Sequence, residues 1–222
     1  MSHTIALVGG TGPEGRGLAT RFALAGHRVI IGSRQAERGA AAARKVAAAV
    51  AGGELSGTTN VEAAAAAGLI VITVPFDGHR ATLESLREAL AGKIVVDTVV
   101  PVRFERGPQP VKVAAGSATE EAAELLPDST VVGAFHNLAA ETLLDPTAHV
   151  DADVLVTGAD SEAKRTVREL AEQIEGVRAV DAGPLRFSRF VEGITLLLIG
   201  VNGRYKARSG VRLTGLPEAQ PR

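Results

Sequence analysis

The sequence predicts an α/β fold: a doubly wound, mostly parallel sheet with a small C-terminal α/β extension. Three observations predict it. β-type apolar runs alternate with helical patterns along the chain. The run LIVITVP at 69–75 is almost continuously apolar, as strands buried on both faces of a parallel sheet are. A glycine-rich turn, VGGTGPEGRG at 8–17, follows directly on the first run.

The elements follow in order. Thr4–Val8 reads as a strand. Residues 17–26 put Leu18, Phe22 and Ala25 at helical spacing, with Gly26 as the C-cap. HRVIIG (27–32) is a second strand, and strand, glycine turn, helix, strand make a βαβ unit. An alanine-rich helix closed by Gly52 and Gly53 comes next, then a shorter one over 60–68 and the strand at 69–75. HRATLESLREALAG is an amphipathic helix and KIVVDTVVP (93–101) a strand. Residues 103–116 read as a loop excursion. Ser117 with Glu120 three residues on is a capping-box signature that opens a helix. A strand over 130–137, the strand DVLVTG, a helix from Ser161 to Gln173, the strand VRAVDAGP and a last helix from near Arg186 complete the chain. Residues beyond about 215 read as a loose tail. No repeat is visible, and no linker cleanly separates two domains.

Composition narrows the function classes. The 222 residues suffice for one large domain, or one with a small partner. A net charge of −1 gives no global basic field to recruit nucleic acid. Cysteine is absent, which excludes thiolate chemistry and suits a reducing cytosol. No signal peptide is visible, and the apolar run at 194–201 is far short of the ~20 residues that span a bilayer. A soluble, cytoplasmic protein without membrane or nucleic-acid partners is expected.

Residues Gly10, Thr11, Gly12, Pro13, Glu14 and Gly15 fit G-x-G-x-x-G between a strand and a helix, the Rossmann dinucleotide fingerprint. Gly10 permits the tight turn, Gly12 lets a pyrophosphate approach the backbone, and Gly15 lets helix and strand pack closely. The anion would lie on unpaired N–H groups at the positive end of the helix dipole. At the end of the second strand, where an NAD site carries a carboxylate, stand Gly32, Ser33 and Arg34, with Arg38 nearby. A hydroxyl and guanidinium groups suit a ribose 2′-phosphate, so NADP(H) is the expected dinucleotide. No metal-ligand spacing and no nucleophile motif is present, and the five histidines are scattered. That scarcity fits hydride transfer, in which cofactors carry the chemistry. It fits a non-catalytic dinucleotide binder equally well.

The opening LVGGTGPEGRGLATRFALAGHRVIIGSR resembles the F420H2:NADP+ oxidoreductases, also called NADPH-dependent F420 reductases. ITVPFDGH (72–79), KIVVDTVVPV (93–102), GAFHNLAA (133–140) and DAGPLRFSRFVEGIT (181–195) resemble them too, in family order over nearly the whole chain. The resemblance implies reversible hydride transfer between NADP(H) and coenzyme F420, a 5-deazaflavin with an anionic tail. Its implied sites are residue by residue. Thr11, Ser33, Arg34 and Arg38 match positions around the 2′-phosphate. Val74, Pro75 and Phe76 match the nicotinamide side, and Val100 and Pro101 the wall of the deazaflavin pocket. His136, Leu138, Arg189 and Thr195 match positions around the stacked rings, where His136 and Arg189 would stabilise negative charge on the reduced deazaflavin. Gly193 stands where a family member has serine.

Plainer roles fit several of these residues. Pro75 could simply end a strand, and His136 could be a hydrogen-bonded core histidine. Arg189 could pair with Glu192 at i, i+3, and Thr195 could bond back to its own helix. Asp97, in an apolar strand, needs a partner if charged, and His79 reads as a helix-start residue. On the whole reading, 1–145 is the NADP-binding domain. Residues 146–222 complete the deazaflavin pocket and, through the apolar final helix, a homodimer interface. Arg103, Arg106 and Lys112, or Arg204, Lys206 and Arg208, would meet the anionic tail. The alternatives are an NADPH-dependent reductase with an imine, flavin or metal-chelate acceptor, and an NADP(H)-sensing protein without catalysis.

Overall fold

The structure is a computed structural model that describes residues 2–50, 52–105 and 107–217. Arg106 and the tail beyond residue 217 lie outside the described residues. The chain opens with β1 (Thr4–Val8), α1 (Pro13–Leu24), β2 (Arg28–Ser33), α2 (Ala36–Ala47), β3 (Leu55–Thr59), α3 (Asn60–Ala66) and β4 (Leu69–Ile72). A single 3-10 turn at Phe76–Gly78 leads into α4 (His79–Leu90) and β5 (Ile94–Asp97). A hairpin of β6 (Val102–Phe104) and β7 (Pro108–Pro110) follows, then α5 (Ala118–Leu125), β8 (Thr130–Gly133) and α6 (Ala140–Leu144). The chain closes with β9 (Ala152–Gly158), α7 (Ser161–Ala171), β10 (Val177–Gly183), a 3-10 turn at Leu185–Phe187 and α8 (Ser188–Tyr205).

Eight strands form one sheet in the order β10-β9-β8-β5-β4-β1-β2-β3. All pair in parallel except β8 with β9. Alternate residues of each strand face opposite sides, so each side gathers its own core. Ile5 and Leu7 meet Leu18, Phe22 and Val46 on one side. Ala6 and Val8 meet Ala63, Leu83 and Leu86 on the other. The expected doubly wound α/β architecture is observed. β9 and β10 continue the main sheet, and Val191 of α8 packs on Leu155 and Val180 from that end.

The predicted strands over 69–75, 93–101 and 130–137 each end three or four residues early, and the trailing residues become loops above the sheet. Three elements escape the periodicity. β3, LSGTT, is an edge strand with no fully buried position, so it lacks an apolar run. The β6–β7 hairpin forms inside the stretch read as loop; β7 starts and ends on proline, which suits so short an exposed ribbon. α6 is only five residues long, and the buried Arg21 guanidinium on α1 donates to the carbonyls of Thr142, Leu143, Asp145 and Ala148 around its end. Among the described residues, no helix is long and apolar enough to cross a membrane.

Candidate functional site

A cavity of 1090 Å³ runs along the carboxyl ends of β2, β1, β4, β5 and β8, where Ser33, Gly9, Thr73, Thr98 and His136 line it. Five strands at ~4.8 Å spacing make this cleft roughly 19 Å across. It passes over the point where β1 and β4 send their connections in opposite directions, the usual ligand crevice of such sheets.

The glycine turn divides its work differently from the sequence expectation. Gly9, not Gly10, holds the left-handed φ of +71°, and a Cβ there would strike Val74. Gly10 has no such φ. It is required because a Cβ would lie 2.8 Å from that of Leu7, and Gly15 because a Cβ would sit against the Gly10 backbone. Gly12 has nothing within 4 Å of its Cβ position: the space beside it is open cleft. Gly12 is also the N-cap of α1 and supplies no side-chain cap, so the first-turn N–H groups remain for an anion. Asn60 stands behind the turn. Its Oδ1 accepts from Gly9 N at 3.0 Å. Sequence reasoning missed it, since an asparagine opening an alanine-rich helix reads as an ordinary helix start.

Thr11, Gly12, Pro13, Glu14, Ser33, Arg34 and Arg38 all line this arm of the cleft. Gly10 and Gly15 lie beneath it as packing glycines. A dinucleotide fits the arrangement, with open backbone at Gly12 and a hydroxyl and two guanidinium groups at the β2 end. Glu14 is the unusual member. Its Oε1 is shut from solvent and has no hydrogen-bond partner among the described residues, and burial raises its carboxyl to a pKa of about 8.

Val74, Pro75, Phe76 and Val100 line the middle of the cleft, while Pro101 stands just outside it and accepts a hydrogen bond from Val111 N. Arg103 and Phe104 of the hairpin reach the rim, where Arg103 lies 3.7 Å from Asp77. Lys112 is not part of the lining. Arg204 and Lys206 are exposed, and Arg208 pairs with Glu141.

At the β8 end stand His136, Leu138 and Thr195. Phe135 turns the chain here with φ +65°, a strained value for a bulky residue, and its ring packs edge-on against Phe22. His136 follows, 5% exposed. Burial lowers its pKa to about 4, with nearby Asp97 opposing, so the ring is neutral at physiological pH. A neutral ring can still hydrogen-bond a bound cofactor, but it brings no full positive charge to the cleft. Thr195 donates to the His136 carbonyl at 2.9 Å rather than to its own helix.

Arg189 does not reach the cleft. Its guanidinium binds the Glu120 carboxylate at 2.8 Å, not Glu192, because Glu192 is already buried at the start of α5. Gly193 is also outside the lining, and a serine side chain there would meet open space. Asp97 has the partner its burial demands: His79 Nε2 lies 2.7 Å from its Oδ2, and its Oδ1 accepts from Val99 N. Burial opposes the charge on His79, but Asp97 and Glu121 outweigh it and raise its pKa. His79 and Asp97 are 18 residues apart on separate elements, and no local pattern announces the pair.

Residues 4–101 match a family model described as NADP oxidoreductase, coenzyme F420-dependent. The F420-dependent NADP reductase of Methanothermobacter marburgensis is 45% identical over 222 residues, 96% of this chain and 99% of that protein. The enzyme of the same name from Methanocaldococcus jannaschii is 40% identical over 220 residues, 96% and 98% of the two chains. A crystal structure of a proposed F420-dependent NADP reductase from Arthrobacter sp. FB24 superposes with a TM-score of 0.81 at 27% identity, covering 94% of this chain and 97% of the other.

Proposed function

The chain belongs to the family of coenzyme F420-dependent NADP oxidoreductases, and from that premise we propose how its cleft performs the family reaction. It is an oxidoreductase that transfers hydride reversibly between NADP(H) and coenzyme F420. The observation that carries the site assignment is one continuous cleft with two chemically different arms. Ser33, Arg34, Arg38 and the bare turn at Gly12 line one arm; His136, Leu138 and Thr195 line the other.

When bound, NADPH supplies a hydride and oxidised F420 takes it up with a proton; the reverse reaction releases both. The protein's part is binding and alignment. Arg34 and Arg38 hold the 2′-phosphate through charge-assisted hydrogen bonds, which NADH cannot make. The free N–H groups of α1 hold the pyrophosphate. Val74, Pro75, Leu138 and Val100 present apolar walls that press the two rings together and exclude water, and proximity supplies most of the rate. His136 meets the rings as a neutral hydrogen-bonding group. Arg189 acts on the deazaflavin arm from outside, by holding α8 to the start of α5 through Glu120.

Residues 1–145 serve as the NADP-binding part and 146–222 complete the pocket, to which α8 adds Thr195, Leu198 and Ile199. Cytoplasmic residence suits a chain without cysteine. A homodimer suits α8, which leaves Phe190 and Leu197 about two-thirds exposed.

The test is to mix purified protein with NADPH or NADH and oxidised F420 and to follow loss of F420 absorbance. Turnover is expected with NADPH, with NADH at least tenfold poorer in kcat/KM. No turnover across pH, beside an active control enzyme, overturns the reading.

A further inference from the structure

His136 is held from behind by groups that the hydride-transfer reading leaves without a role. Glu192, on α8, is 2% exposed. Its Oε2 accepts from Ala118 N at 3.0 Å. Its Oε1 accepts from Thr119 N at 3.1 Å and from Thr119 Oγ1 at 2.9 Å. Burial raises its carboxyl to a pKa of about 7, against the pull of those donors at the N-terminus of an eight-residue helix, so above pH 7 it stands mainly as a carboxylate. The Thr119 hydroxyl has one proton, and Glu192 takes it. What Thr119 can still offer His136 is a lone pair, and His136 Nε2 lies 3.5 Å from that oxygen. The contact is long for a hydrogen bond, and it favours the ring proton on Nε2. In that tautomer Nδ1 is a bare acceptor, and among the described residues it has no partner. A buried acceptor without a partner is costly, and a bound ring with an N–H would satisfy it.

The second grip comes from the same face of α8. Thr195, three residues after Glu192, holds the His136 carbonyl. Asp97 adds a second buried carboxylate near both His136 and Glu192. One helix thus fixes the histidine at its backbone and, through Thr119, at its ring.

We propose that Glu192 and Thr119 are positioning residues that lock His136 as the Nε2–H tautomer, so that Nδ1 accepts a hydrogen bond from an N–H of a bound ring. This rests on the hydride-transfer reading for its consequence, and on the free protein for its geometry. Two N–H donors of the cofactors are the candidates: the carboxamide of the nicotinamide or the imide of the deazaflavin.

The experiment uses Thr119→Val, which keeps the shape and removes the hydroxyl, and Thr119→Ser, which keeps the hydroxyl. In protein labelled with 15N-histidine, the His136 ring signals are identified by their loss in His136→Gln. The parent and T119S should show one neutral tautomer with the proton on Nε2. T119V should show a mixture or the Nδ1–H form. In the F420 assay T119V should lose about tenfold in kcat with the KM for NADPH unchanged, and T119S should restore it. Titration with NADP+ alone and with F420 alone should move the Nδ1 signal in one of the two, which identifies the ring. An Nδ1–H parent overturns the proposal, as does an unchanged tautomer or an unchanged kcat in T119V. An Nδ1 signal that neither ligand moves overturns the acceptor role. If the parent gives no turnover at all, the functional reading fails, and the tautomer in the free protein still decides this one.

Discussion

At the scale of the residue, this cleft is shaped by what burial does to ionisable groups. His136 loses its charge and Glu14 keeps its proton, both because a buried charge without a partner is expensive. Asp97 avoids that outcome through His79, and Asp153 through Arg178 and Arg212. Glu14 gives a test with a definite sign. Its native pKa of about 8 lies above the ordinary 4.5, so the folded protein holds a proton that the unfolded chain releases. Stability from this group therefore falls as pH rises from 4.5 to about 8 and stays low above that. Glu14→Gln should match the parent in Tm near pH 5 and exceed it by several degrees at pH 9, read by thermal unfolding of the ligand-free protein. A Tm difference that does not grow with pH overturns the assignment. Ser33 and Arg34 were legible as a candidate phosphate site, and both line the cleft, because residue type and place at a strand end are local properties. Glu192 was not. Its neighbour Arg189 offered a plausible local partner, and only the docking of α8 on α5 shows that each carboxylate and guanidinium pairs elsewhere.

At the scale of the element, the β1–α1 turn shows how glycines that look alike in sequence do different work. Gly9 provides the left-handed turn, Gly10 and Gly15 allow backbone to touch backbone, and Gly12 leaves room for a ligand. Gly12→Ala should fold with an unchanged Tm and bind NADP+ at least tenfold more weakly by calorimetry. Gly15→Ala should instead lower the Tm, because its Cβ would meet Gly10 backbone that cannot yield. The opposite pattern would reverse the two roles. The motif located the turn, but the identity of the φ-positive residue depended on β4 and Val74, 65 residues away. β3, α6 and the β6–β7 hairpin were likewise beyond sequence patterning. Each is short, and each is stabilised by neighbours rather than by its own periodicity. The longer elements were legible because each repeats its apolar period over several positions.

At the scale of the whole molecule, the cleft exists because strands from both halves of the chain end side by side, and α8 returns from the far edge to cover it. α8 also carries an apolar face that the described residues leave uncovered, with Phe190, Leu197 and Tyr205 exposed and Phe187 of the preceding 3-10 turn against Phe190. Leu197→Glu should convert a dimer, at twice the 22.8 kDa chain mass, to a monomer in sedimentation equilibrium. A parent already monomeric at micromolar concentration refutes the dimer. By itself the sequence determined the doubly wound class, and it marked the glycine turn and the β2 end as the candidate dinucleotide site, since alternating periodicity and a strand-end pattern are local properties. It also carried family motifs in order along nearly the whole length. Only the tertiary structure decided that Arg189 faces Glu120, that His136 is neutral, and that Glu192 and Thr119 stand behind it. Those facts depend on burial and on contacts between residues 17 to 73 positions apart, and no window of sequence contains them.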